Sequence, residues 1–126
     1  MNIGRRTFAF SAASLLALPA IAQEAWPARP VNLVVPYPPG NAADISGRIL
    51  LEPLSAEIGQ RLVIDNRAGA SGIMGSASVA RAAPNGYTLL LTSNSPIASG
   101  PWVTKNVPYV VERDFTPIAG IARGAL

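Results

Sequence analysis

Three short stretches hold the groups from which chemistry could be built: "YPPGNAAD" at 37–44, "NRAGASG" at 66–72 and "TSNSP" at 92–96. Each mixes proline or glycine with small or polar residues, and the whole chain has neither histidine nor cysteine. That composition removes thiol nucleophiles, disulfides, the usual zinc ligand sets and the commonest general base. Ser93 with Asp44 or Asp65 forms no triad, because no base joins them. An exported esterase-like α/β hydrolase is the competing enzymatic reading, and its nucleophile elbow needs a histidine partner. The chemistry left is recognition without reaction. Backbone N–H groups, hydroxyls and side-chain amides can hold an anion in place.

The first stretch follows the apolar run "VNLVV" at 31–35 and stiffens at once with Pro36, Pro38 and Pro39. Gly40 permits close backbone approach. Asn41 stands where a helix N-cap belongs, with Asp44 three residues on as a capping-box variant. A helix start offers unpaired N–H groups and a positive dipole to an anion, although a rigid turn with an ordinary cap gives the same pattern. Asp44 has the wrong charge to face an anion and fits better as a capping residue or as partner to a ligand's amine. The second stretch begins the spacing Gly69-x-x-Gly72-x-x-Gly75. A dinucleotide fingerprint would follow the first strand with its acid some twenty residues later, and here both conditions fail. Gly75, with Ala77 and Ala80, reads as close helix-on-sheet packing, and Ala70, Ser71 and Gly72 as backbone donors. Arg67 is either a charge partner for an acidic ligand or a solvated loop residue. Thr92, Ser93, Asn94 and Ser95 in the third stretch form a turn-and-cap cluster or polar contacts to a ligand.

The elements that must position these loops alternate. "VNLVV" reads as a strand buried on both faces, and Ile45, Ile49, Leu54 and Ile58 predict a helical stripe ending before Gly59. Pro53 removes the bond to the Ile49 carbonyl and is expected to kink that helix. "RLVIDN" (61–66) predicts a second strand, 69–83 a helix opened by glycines, and "YTLLLTS" (87–93) a third strand. Residues 94–114 read as irregular with one helical turn, and "FTPIAGIA" (115–122) as a candidate fourth strand. Strand–helix–strand–helix–strand implies a parallel sheet of βαβαβ form. All three polar stretches then leave the carboxyl ends of strands, where such sheets bind ligands.

Composition bounds the partners. The chain is 49% hydrophobic and 13% charged, a globular mixture. Of its ten basic residues, Arg5 and Arg6 lie in the N-terminal segment, leaving eight bases against seven acids with no basic run, so nucleic acid is excluded. "MNIGRRTFAFSAASLLALPAIAQ" has a basic start, an apolar stretch from about Phe8 to Leu18 and a small-x-small site at Ala20–Ala22. Residues 1–22 therefore read as a secretory signal peptide cleaved after Ala22, either twin-arginine through Arg5–Phe8 or an ordinary Sec signal. The expected location of the mature chain is the periplasm.

From Trp26 to about Ala122 the chain resembles the Bug-type extracytoplasmic solute receptors, the substrate-binding proteins of tripartite tricarboxylate transporters. The resemblance rests on "WPARPVNLVVPYPPGNAAD", "IDNRAGASGIMGSASVARAAPNGYTLLLTSN" and "ERDFTPIA", in that order and spacing. It implies an α/β fold of the two-domain periplasmic-binding-protein kind (type II). Residues 23–126 would then form part of the first domain, truncated before the second. It further implies no enzymatic activity, no cofactor, no metal, a small carboxylate ligand (a di- or tricarboxylate or an amino acid) and membrane transporter subunits as partners. By match of motif, the implied ligand contacts are Tyr37, Pro39, Gly40, Asn41, Ala42 and Asp44 in the first loop. Ala70, Ser71 and Gly72 follow in the second, and Ser93, Asn94 and Ser95 in the third. The family usually carries a second glycine where Asn41 stands, and an ordinary helix former where Pro53 stands. The alternative on the same resemblance is a truncated receptor fragment without function.

Overall fold

The structure, a computed structural model, describes residues 25–123, so the expected signal segment lies outside the described residues. Three parallel strands form one sheet in the order β2-β1-β3: β1 is Val31–Val35, β2 Leu62–Asn66 and β3 Thr88–Leu90. β1 is central, with Val31 opposite Leu62, Val35 opposite Asn66, and Val34 opposite Leu90. Its unbroken apolar run matches that place, since a central strand is covered on both faces.

Side chains alternate across β1. Val31, Leu33 and Val35 join Leu62 and Leu91 in a core against Ala43, Leu51 and Ile58 of helix α1, Ala42–Ile58. Pro36 continues the opposite set and lies under helix α2, Ile73–Ala80, which packs on β1 and β3. Gly75 makes that contact possible. A Cβ there would stand 2.6 Å from the Arg67 carbonyl oxygen and 2.6 Å from Pro36 Cβ, so the packing reading of this glycine holds. Ile73 and Ala77 of the same helix bury against Tyr109, with Val111 and Phe115 beside them.

Helix α1 starts and stops where its caps dictate. Asn41 Oδ1 accepts from the Ala43 N–H at 2.9 Å, and Gly59 closes the helix in the left-handed conformation at φ 70°. The expected apolar stripe, however, turns mostly outward: Ile45 is 51% and Ile49 70% exposed, Leu54 is exposed as well, and of the four residues Ile58 alone packs toward the sheet. The face on the sheet is Ala43, Asp44, Gly47, Leu51 and Ile58. Large sheet residues set this phase. A Cβ on Gly47 would already stand 3.0 Å from Leu91 Cδ2 and 3.3 Å from Ile64 Cδ1, so the smallest helix residue takes the tightest position. Pro53 sits on the exposed side and the helix runs past it.

The third strand is shorter than its apolar run. The Asn32 N–H donates to the Tyr87 carbonyl and the Leu91 N–H to the Val34 carbonyl, extending the ladder by one bond at each end. Pro36 then supplies no N–H, and Thr92 and Ser93 leave the sheet. Residues 94–114 are more helical than expected: a π-helical segment Ser95–Ser99, then α3, Gly100–Val103, and α4, Val111–Asp114. The fourth strand is a correction. Residues 115–122 are assigned to no strand, and Ile118 is exposed. Extended backbone becomes a strand only with a ladder partner, and no described residue offers one there.

Candidate functional site

The three loops meet at the carboxyl edge of the sheet, between β1 and β3, where the strand order turns back on itself. This switch point is the usual ligand crevice of open parallel sheets. Tyr37, one residue beyond Pro36, links them. Its hydroxyl lies 2.6 Å from Ser93 Oγ and 3.5 Å from Thr92 Oγ1. It also lies 3.1 Å from where a Cβ of Gly72 would be, with Pro96 Cγ at 3.2 Å. One phenol therefore touches the second and third loops from the first.

Backbone bonds hold the first loop only weakly: three of its residues are prolines, and the Asn41 N–H reaches the Pro38 carbonyl at a long 3.3 Å. Asp44 and Asn66 hold it instead. Asp44, 1% exposed, accepts from the Gly40 N–H at 2.8 Å and Arg48 Nε at 2.9 Å through Oδ2, and from Asn66 Nδ2 at 3.0 Å through Oδ1. The capping box thus reaches Gly40, one residue beyond the cap. The Arg48 guanidinium, then the Gly40 and Asn66 amides, hold the Asp44 carboxyl well below the usual carboxylate range. Buried and bonded on both oxygens, Asp44 faces the loop and not the open crevice. Asn66 is a contributor the motif reading passed over. Its only sequence signal is a polar amide at the last position of a strand.

The second loop is strained. Ala70 at φ 45° and Ser71 at φ 54° are left-handed without being glycine, and Gly72 follows at φ 93°. Two such residues cost about 1–3 kcal/mol each and cluster at functional sites. The Gly72 N–H is taken by the Gly69 carbonyl at 3.0 Å. Among the described residues, the N–H groups of Ala70 and Ser71 have no acceptor, and neither has that of Ala42 at the first position of α1. Ala42, Ala70 and Ser71 are exposed, as are Pro39, Gly40, Asn41, Ser93 and Asn94. Ser95 is turned into the π segment, where its carbonyl accepts from the Gly100 N–H. Arg67 pairs with Asp65 at 2.7 Å on the loop rim.

This arrangement has donors, hydroxyls and a helix start, but no nucleophile–base pair. Such groups are suited to holding an anion. Among the described residues no cluster of acids could hold a metal ion. A separate open groove of about 380 Å³ lies between Ile97, Pro101, Trp102 and Tyr109–Glu112. Its lining carries a carboxylate and no cation, and none of the loop residues above, so it is not part of this site.

Comparison with known proteins gives the family of this chain. The family model described as "Tripartite tricarboxylate transporter family receptor" matches residues 47–126. Protein BugT of Bordetella pertussis is 40% identical over 111 residues, 87% of this chain and 34% of that protein. MatC from Rhodopseudomonas palustris, solved with bound malate, superposes with a TM-score of 0.72 at 32% identity, covering 75% of this chain and 32% of that one. A second R. palustris protein, solved with adipate, gives 0.66 at 36% identity, covering 69% and 29%. The chain spans about a third of the length of the curated relatives it matches. The superposed chains also support the periplasmic-binding-protein fold expected from the motifs. With the family model covering well over half of its residues, the chain belongs to the tripartite tricarboxylate transporter receptor family.

Proposed function

We propose that this chain is the N-terminal part of a periplasmic receptor that captures a small carboxylate for a tripartite tricarboxylate-type transporter. In this reading residues 1–22 direct export, and residues 23–126 form part of the first α/β domain. The observation that carries it is the convergence of three strand-end loops on the Tyr37 hydroxyl, with the Ala42, Ala70 and Ser71 N–H groups left without acceptors among the described residues. A carboxylate supplies the acceptors such groups lack, and the start of the 17-residue α1 favours its charge. Malate and adipate in the two R. palustris structures support a di-acid as the ligand class. The absence of histidine from the sequence speaks for capture over hydrolysis.

The test is a titration of the chain with malate, adipate, citrate and glutamate, followed through backbone amide shifts, with malamide as the neutral control. Saturable shifts at Ala42, Ala70, Ser71 and Ser93 are expected from the acids alone. Affinity should be weak, since a crevice open on one side leaves the ligand hydrated there. Equal shifts from malamide, or none at these amides, overturn the reading. Mass spectrometry of exported protein should find Gln23 as the first residue.

A further inference from the structure

We propose that Asn66 is the positioning residue of the first loop: with Asp44 it fixes the backbone from Tyr37 to Gly40 so that the Tyr37 hydroxyl meets the third loop. Its bearing on ligand affinity rests on the carboxylate reading above, whereas its action on the loop does not. Asn66 ends β2 and pairs with Val35, so it stands beside the point where β1 gives way to the loop. Its Nδ2 donates to the Tyr37 carbonyl at 3.1 Å and to Asp44 Oδ1 at 3.0 Å, which uses both amide protons.

The loop needs such a partner. Pro36, Pro38 and Pro39 donate nothing, and the Gly40 N–H goes to Asp44. The one backbone bond across the loop, Asn41 N–H to the Pro38 carbonyl, is long at 3.3 Å. The Tyr37 carbonyl thus depends on a donor from outside, and asparagine alone among residues of this size offers two donors without a positive charge. Aspartate of the same shape would set a second carboxylate against Asp44. Arg48 already balances the Asp44 charge at 2.9 Å, so a neutral donor completes the cluster. The chain of contacts runs from Asn66 to Tyr37 and Asp44, from Asp44 to Gly40, and from Tyr37 to Ser93.

Amide exchange on the chain with Asn66→Leu, which keeps the branching and the number of heavy atoms and removes both donors, tests the inference. The Gly40 amide should exchange about 30-fold faster, the scale set by losing one neutral and one charge-assisted bond. The Asn32 and Leu91 amides, bonded across the sheet to Tyr87 and Val34, should stay as protected as before. Unchanged exchange at Gly40 overturns the proposal, and so does loss of protection at all three amides together, which marks a general stabiliser. In the unaltered chain the Asn66 side-chain protons should exchange at least about tenfold slower than those of exposed Asn94, and equal rates overturn it independently of any variant. Where malate binds, Asn66→Leu should weaken it about tenfold and Asp65→Asn on the same strand should not, because only the fraction of loops in the competent conformation binds. Equal affinities of the two variants count against the proposal. If malate shifts nothing in the unaltered chain, the carboxylate reading fails while the exchange results still decide the role of Asn66.

Discussion

Replacing Gly75 by alanine adds one methyl group at the most crowded point between α2 and the sheet. The new Cβ would stand 2.6 Å from Pro36 Cβ, 2.8 Å from Pro36 Cα and 2.6 Å from the Arg67 carbonyl oxygen. None of these can swing away: two are backbone atoms and the third belongs to a buried proline ring. Ordinary carbon contacts begin near 3.5 Å, so α2 must rise by about 1 Å. That movement loosens Ile73 and Ala77, both buried on the same face. Overpacking of this kind costs about 1–3 kcal/mol, and the helix preference of alanine over glycine returns up to about 1 kcal/mol. The net loss of about 1–2 kcal/mol corresponds to a fall in Tm of about 5–15 °C for a domain of this size. Gly47→Ala is the matched comparison. Its Cβ meets only the tips of Leu91 and Ile64 at 3.0 and 3.3 Å, which can shift, so the helix gain should nearly offset the crowding. Thermal and urea unfolding of both variants measures the difference. A Gly75→Ala chain as stable as Gly47→Ala would refute the close-approach argument for α2.

Gly72→Val should weaken binding by imposing a β-branched residue at φ 93° and pressing on the Tyr37 hydroxyl, whereas Arg81→Ala, exposed at the end of α2, should leave it unchanged; equal losses in the amide-shift titration would point to stability and not to a site. Asn41→Ala removes the acceptor for the Ala43 N–H and should cost about 1 kcal/mol in urea unfolding, with no cost if the cap is idle. Asp44 has a depressed folded pKa, so its contribution is complete above its unfolded value of about 3.9 and is lost as pH falls toward the folded one. Asp44→Asn should therefore flatten the acid limb of a Tm–pH curve below about pH 4, leaving the part from Asp114, itself lowered to about 2; an unchanged limb would count against the buried carboxylate.

Much of this protein is written in adjacent residues. The apolar run of β1, the Asn41 cap, the Gly59 stop and the proline-stiffened loop each depend on dihedral preferences and backbone groups within a few positions, and the sequence carries them openly. The parallel βαβαβ order follows from their alternation, and with it the edge where the three loops emerge. The phase of α1 is different. Ile45, Ile49, Leu54 and Ile58 make a stripe along the chain, yet the sheet receives Gly47, because the Leu33, Ile64 and Leu91 side chains crowd that point and favour the smallest residue there. The length of β3 was set in the same way, by Pro36 just beyond its neighbour β1. So was the role of Asp44, which local spacing marked as a cap and tertiary contact made a buried acceptor for Gly40, Arg48 and Asn66. Local preference acts along the chain and can be read there. Close packing and the pairing of buried polar groups depend on residues that only folding brings together, and only the tertiary structure decided them.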